Sequence, residues 1–169
     1  MTVRPVLRLP EAVLTRVARP VEAIDETAKA LADDLIDTMR VSPACVGLAA
    51  PQIGVGLRAF AVDVSGHKKA GHCHGEFVLF NPELVVADGP VIGREGCMSV
   101  PDLTGDVARA TRVVVRGLTP AGDERILEVE GFEARATSPV RSGTLMHPSR
   151  PITGPSATTS SGLKRTNSP

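Results

Sequence analysis

Two short segments hold residues able to do chemistry. The first is Cys45-Val46-Gly47-Leu48-Ala49-Ala50-Pro51-Gln52-Ile53-Gly54. Its small residues, Gly47, Ala49 and Ala50, let a ligand or a neighbouring strand approach the backbone closely. Among them stands one polar side chain, Gln52. An amide can donate a hydrogen bond to a carbonyl oxygen that is gaining negative charge. A Gln here can equally face solvent from a tightly packed strand. The second segment is Gly93-Arg94-Glu95-Gly96-Cys97-Met98-Ser99-Val100-Pro101. Cys97, in a turn-like stretch, can be a metal thiolate, a nucleophile or an inert small hydrophobe. As a nucleophile it would need a base nearby, and no His is placed by motif to serve.

Two other patterns carry less. Gly71-His72-Cys73-His74-Gly75 is a compact donor cluster. Zinc sites normally show paired donors at a defined separation. This cluster has no second pair, so it reads as a solvated loop. Gly54-Val55-Gly56 lacks the later glycine and the following helix of a dinucleotide-binding turn.

The elements that must position these residues are legible from periodicity. Asp25 to Arg40 predicts a helix: Ala28, Leu31, Leu35 and Met39 fall on one face at steps of three and four. Asp25 can cap its start, and Ser42-Pro43 ends it. Strands are expected over Leu57–Val64, Phe77–Phe80 and Glu83–Ala87, the last two flanking an Asn81-Pro82 turn. Arg112–Leu118 and Arg125–Phe132 flank Thr119-Pro120-Ala121-Gly122, a hairpin signal. One early helix followed by short strands predicts an α+β fold with a mostly antiparallel sheet. No internal repeat is visible.

Composition removes several classes. The chain has 169 residues with 19 basic and 19 acidic side chains, which argues against nucleic-acid binding through bulk charge. Aromatics are 2%, four Phe and neither Trp nor Tyr, too few for base-stacking platforms. No apolar run approaches the roughly 18 residues of a membrane-spanning helix, and Met1 to Pro10 lacks the pattern of a secretory signal. Three cysteines without repeating spacing do not make a disulfide framework. A cytoplasmic location is the expectation, with no membrane and no direct nucleic-acid readout.

The zero net charge hides an asymmetry. Residues 1–136 hold all 19 acids and 15 bases, a net −4, while residues 137–169 hold four bases and no acid. Ser, Thr, Pro and Gly supply 21 of those last 33 residues. Such a segment buries too little apolar surface to offset its ordering entropy. The expectation is a domain over 1–136 and a disordered tail over 137–169.

Taken together, the two segments resemble the motifs of the peptide deformylase family. The family's first motif has the form Gly-Φ-Gly-Φ-Ala-Ala-x-Gln, with Φ apolar; here it runs from Cys45 to Gln52, with Cys45 replacing the first Gly. The second is Glu-Gly-Cys-Leu-Ser; here it is Glu95 to Ser99, with Met98 replacing Leu. The early helix, Asn81-Pro82 and Gly131-Phe132-Glu133-Ala134-Arg135 are also similar, so the likeness spans residues 4–136. The resemblance implies a hydrolase that removes the formyl group from the N-terminal methionine of nascent proteins, near the ribosome, through a metal-bound water. It implies Cys97 as thiolate ligand of a divalent metal, Fe²⁺ in many members and replaceable by Ni²⁺, Co²⁺ or Zn²⁺. Gln52 and the Met98 backbone N–H would hold the developing oxyanion. Gly47 and its neighbour Leu48 would pair with the peptide as a strand, and Val46 would line the methionine pocket.

The family's third motif, His-Glu-x-x-His on a helix just after Gly-Phe-Glu-Ala-Arg, is missing. Spacing of i, i+4 would put both imidazoles on one face, with Glu beside them as general acid/base. Here Arg135 is followed by Ala136-Thr137-Ser138-Pro139-Val140-Arg141-Ser142-Gly143, and the only later His is His147. Two of three metal ligands and the base are therefore absent, which predicts an impaired or inactive catalyst, or a peptide-binding module without turnover. The abrupt change of composition at 136–137 is what a shifted reading frame would produce.

Overall fold

The computed structural model describes residues 2–139. Its first long element is helix α1, Glu26–Val41. Asp25 caps it as expected, its carboxylate accepting the Ala28 N–H at 2.9 Å. The Ala28, Leu31, Leu35 and Met39 stripe is buried, and α1 packs on the first two strands of the sheet.

Among the described residues, seven strands follow. They are β1 Gly47–Ala49, β2 Ala59–Val62, β3 Phe77–Asp88, β4 Val91–Cys97, β5 Val100–Arg109, β6 Arg112–Leu118 and β7 Glu124–Glu130, and the short helix α2, Gly131–Thr137, comes after them. Five form one sheet in the order β1-β2-β3-β6-β7, antiparallel throughout; β4 and β5 pair separately. The fold is α+β, as the pattern of elements predicts.

The central strands explain their own burial. Ala59-Phe60-Ala61-Val62 is buried at every position, the signature of a strand covered on both faces. Successive side chains point to opposite faces. Ala59, Ala61, Val78 and Phe80 thus join α1 in one apolar cluster, while Phe60, Val62, Phe77 and Leu79 join Val113, Val115, Leu127, Val129 and Ala134 in another.

Several expectations are corrected. The Asn81-Pro82 pair is no turn: β3 runs through it with a register shift between Phe80 and Glu83. Asn81 has φ 48°, and its amide bonds both the N–H and the C=O of Val21 at 2.8 Å. A bulge of this kind needs a residue that tolerates the left-handed region and satisfies backbone groups locally. Gly117 faces it; a Cβ there would lie 2.8 Å from the Phe80 carbonyl oxygen. The stretch around Cys97 is a β-hairpin rather than an irregular turn. Strand β7 ends at Glu130, because Gly131 (φ 56°) turns the chain into α2.

The loop that carries the His/Cys cluster is docked onto α2. His67 stacks on Phe132, ring centroids 4.1 Å apart, and His74 meets Glu133. Thr137 closes α2, and the Ser138 N–H bonds the Ala134 carbonyl. The rest of the predicted tail, residues 140–169, lies outside the described residues.

Candidate active site

Strand β1 and the 3-10 turn Ala50–Ile53 present Gln52. Pro51 fits the first turn of that helix, where its missing N–H costs nothing, and Gly54 leaves it at φ 87°. Gln52 is 7% exposed, so it does not face solvent. Its Oε1 accepts the Ala49 N–H at 3.0 Å. Its Nε2 stands 3.3 Å from Ser99 Oγ and 3.8 Å from Cys97 Sγ. The amide of the first motif therefore touches the thiol of the second.

The N-terminal segment ties both motifs down. The Leu7 N–H donates to the Gln52 carbonyl at 2.7 Å, and the Leu9 N–H donates to the Ser99 carbonyl at 3.0 Å.

Cys97 ends β4 and pairs with Val100, leaving Met98-Ser99 as the hairpin tip. Alternation places Gly93, Glu95 and Cys97 on one face of the strand. Glu95 holds that face. Its carboxylate bonds Arg109 at 2.8 Å and Arg135 Nε at 2.9 Å. Arg135, from α2, also donates to the carbonyls of Gly93 at 2.7 Å and Val107 at 3.1 Å. One guanidinium thus fastens both strands of the hairpin to α2. Gly93 leaves it room: a Cβ there would lie 2.8 Å from the Arg135 guanidinium. Ser99 and Arg135 belong to the quoted motif stretches, but their residue types alone, like that of Arg109, assign them no part in the site. The available signal was the alternation of Glu95 with Cys97.

Val46, Gly47, Leu48, Gln52, Cys97 and Met98 all line one cavity of about 700 Å³. Strand β1 is the terminal strand of its sheet, paired on one side with β2. Cys45, read from sequence only as a replacement for glycine, also lines the cavity. Its Sγ lies 3.3 Å from the Gly47 carbonyl oxygen. Burial pushes the Cys45 thiol above its usual range, and the neighbouring Cys97 adds to the effect.

A catalytic metal needs three protein ligands and an open position. Among the described residues, no group of three or more His, Cys, Asp or Glu side chains is arranged to hold one. Cys97 has the Gln52 amide beside it, and Pro139, just after α2, lines the same cavity. The donor set present does not fit a catalytic metal.

The α+β scaffold thus sets a Gln–Cys contact at a cavity beside the edge strand β1. The family model described as Polypeptide deformylase matches residues 3–138. Peptide deformylase of Halothermothrix orenii is 40% identical over 136 residues, covering 80% of this chain and 84% of the relative. Peptide deformylase 1 of Bacillus subtilis is 43% identical over 136 residues, with 80% and 81% covered. A peptide deformylase crystal structure from Legionella pneumophila superposes with TM-score 0.71 at 40% identity, covering 80% of this chain and 76% of that one. The chain belongs to the peptide deformylase family. No helix among the described residues is long and apolar enough to cross a membrane.

Proposed function

We propose that this chain receives N-formyl-methionyl peptides in the groove its family uses and hydrolyses them poorly or not at all. The donor set carries the reading. Cys97 is present, but the residues after Arg135 hold a single His, His147, and no Asp or Glu, so the His-Glu-x-x-His motif is not among them. A single thiolate does not retain a catalytic ion against water. Iron, the metal that family resemblance implies, therefore has one candidate ligand here.

The binding half of the site is intact by the same reasoning. The free side of β1 offers backbone groups from Gly47 and Leu48 to an extended peptide. Val46 supplies an apolar wall for a methionine side chain. The Gln52 amide and the Met98 N–H are the donors suited to the formyl oxygen. The domain expected over residues 1–136 carries α2 on to Thr137, and its encounter with nascent chains takes place in the cytoplasm near the ribosome.

Calorimetric titration of the full chain with formyl-Met-Ala-Ser tests the binding half. Saturable binding is expected, weakened by Gln52→Leu and by removal of the formyl group from the peptide. Absence of binding at millimolar peptide would contradict the groove assignment.

A further inference from the structure

We propose that His72 and His74 form a site for a divalent transition-metal ion on the surface, apart from the cavity, with Glu133 holding it in shape. Glu133 lies on α2 and is 2% exposed. One of its oxygens accepts the His74 backbone N–H at 2.9 Å, and the other faces His74 Nδ1 at 2.9 Å. A carboxylate at Nδ1 keeps the proton on that nitrogen and leaves the Nε2 lone pair available. This is the support that metal-binding histidines regularly have behind them. The loop does not need it for attachment alone, because His67 already stacks on Phe132.

His72 supplies the second nitrogen. Its ring centroid lies 6.3 Å from that of His74, with the planes at 85°. One ion with bonds of about 2.0–2.1 Å to each imidazole in tetrahedral geometry brings the ring centroids to about 5.3 Å, so binding draws His72 roughly 1 Å closer to His74. His72 is exposed and the His74 side chain is 29% exposed, so water completes the coordination. Cys73, between them, packs on the apolar cluster beneath and is not counted as a donor. Imidazole pairs of this kind favour zinc, copper or nickel. With two protein donors rather than three, the site binds moderately and reversibly.

The test uses Zn²⁺ and the full chain carrying Cys45→Ser and Cys97→Ser, which removes both cavity thiols. One equivalent of Zn²⁺ is expected to bind. His72→Ala and His74→Ala should each weaken it at least tenfold, and Glu133→Gln by about 10–100-fold; His147→Ala should leave it unchanged. Glu133→Gln and Cys97→Ser can also disturb folding. Nitrogen-15 spectra of the unsubstituted chain give the second readout, in which Zn²⁺ should shift His74 Nε2 far more than Nδ1. No Zn²⁺ binding, binding indifferent to His74→Ala, or binding lost with His147→Ala would overturn the site.

Discussion

The Gln52 amide nitrogen and the Cys97 sulfur lie 3.8 Å apart although 45 residues separate them in the chain. Each belongs to a different motif and a different layer: Gln52 follows the edge of the five-stranded sheet, and Cys97 ends a strand of the separate hairpin. Their contact is the seam along which the two halves of the cavity join. Ser99 and the backbone bonds from Leu7 and Leu9 reinforce it.

Gln52→Leu should open that seam. The Ala49 N–H loses its acceptor in a half-buried setting, and Ser99 Oγ loses its donor in a buried one. Leaving such groups unpaired costs about 1–3 kcal/mol. Urea denaturation of the variant should show a lower midpoint with an unchanged slope. An unaltered midpoint would mean that the contact contributes nothing to joining the layers.

Arg135→Met should loosen the hairpin. Glu95 keeps Arg109, but the carbonyls of Gly93 and Val107 lose a charged donor. Hydrogen bonds to charged groups contribute about 1.5–3 kcal/mol each in favourable settings, and a loss of that order is expected for the variant. Hydrogen exchange should speed up in Val91–Cys97 and Val100–Arg109 more than in β2 and β3. Equal acceleration everywhere would contradict a local role.

Cys45 should alkylate slowly at neutral pH. Its raised pKa means that less thiolate exists at a given pH than for an ordinary cysteine. The rate of iodoacetamide labelling at Cys45, followed by peptide mapping, should lie below that of a free cysteine peptide at pH 7.5. It should climb only above the usual thiol range. Labelling as fast as the free peptide at pH 7.5 would refute the burial argument.

The nucleotide sequence after codon 136 should encode a His-Glu-x-x-His helix in one of its other two reading frames. Translation of all three frames checks this directly. If neither alternative frame contains the motif, the change of composition is a true divergence of the protein.

Much of this molecule was readable before its structure. The α1 stripe and Asp25 cap act within a few residues, so sequence spacing reports them faithfully. The α+β class and the β6–β7 hairpin followed in the same way. Asn81-Pro82 misled because its local residues favour a turn, whereas the distant Val21 backbone fixes Asn81 as a bulge. The hairpin around Cys97 was missed because Arg94, Glu95 and Asp106 break its apolar alternation, and its long-range partner is Arg135. Gln52 and Cys97 were singled out by residue type and by resemblance to the family motifs. Their proximity to Cys45 and Ser99 depends on chain crossings that no local pattern carries.

The most direct measurement is formate release from formyl-Met-Ala-Ser by the purified full chain, assayed with added Fe²⁺ or Ni²⁺ under anaerobic conditions. The missing imidazoles and carboxylate predict release indistinguishable from the uncatalysed background. Turnover at the rate of a complete peptide deformylase measured alongside would contradict the central claim that Cys97 stands without the partners a catalytic metal requires.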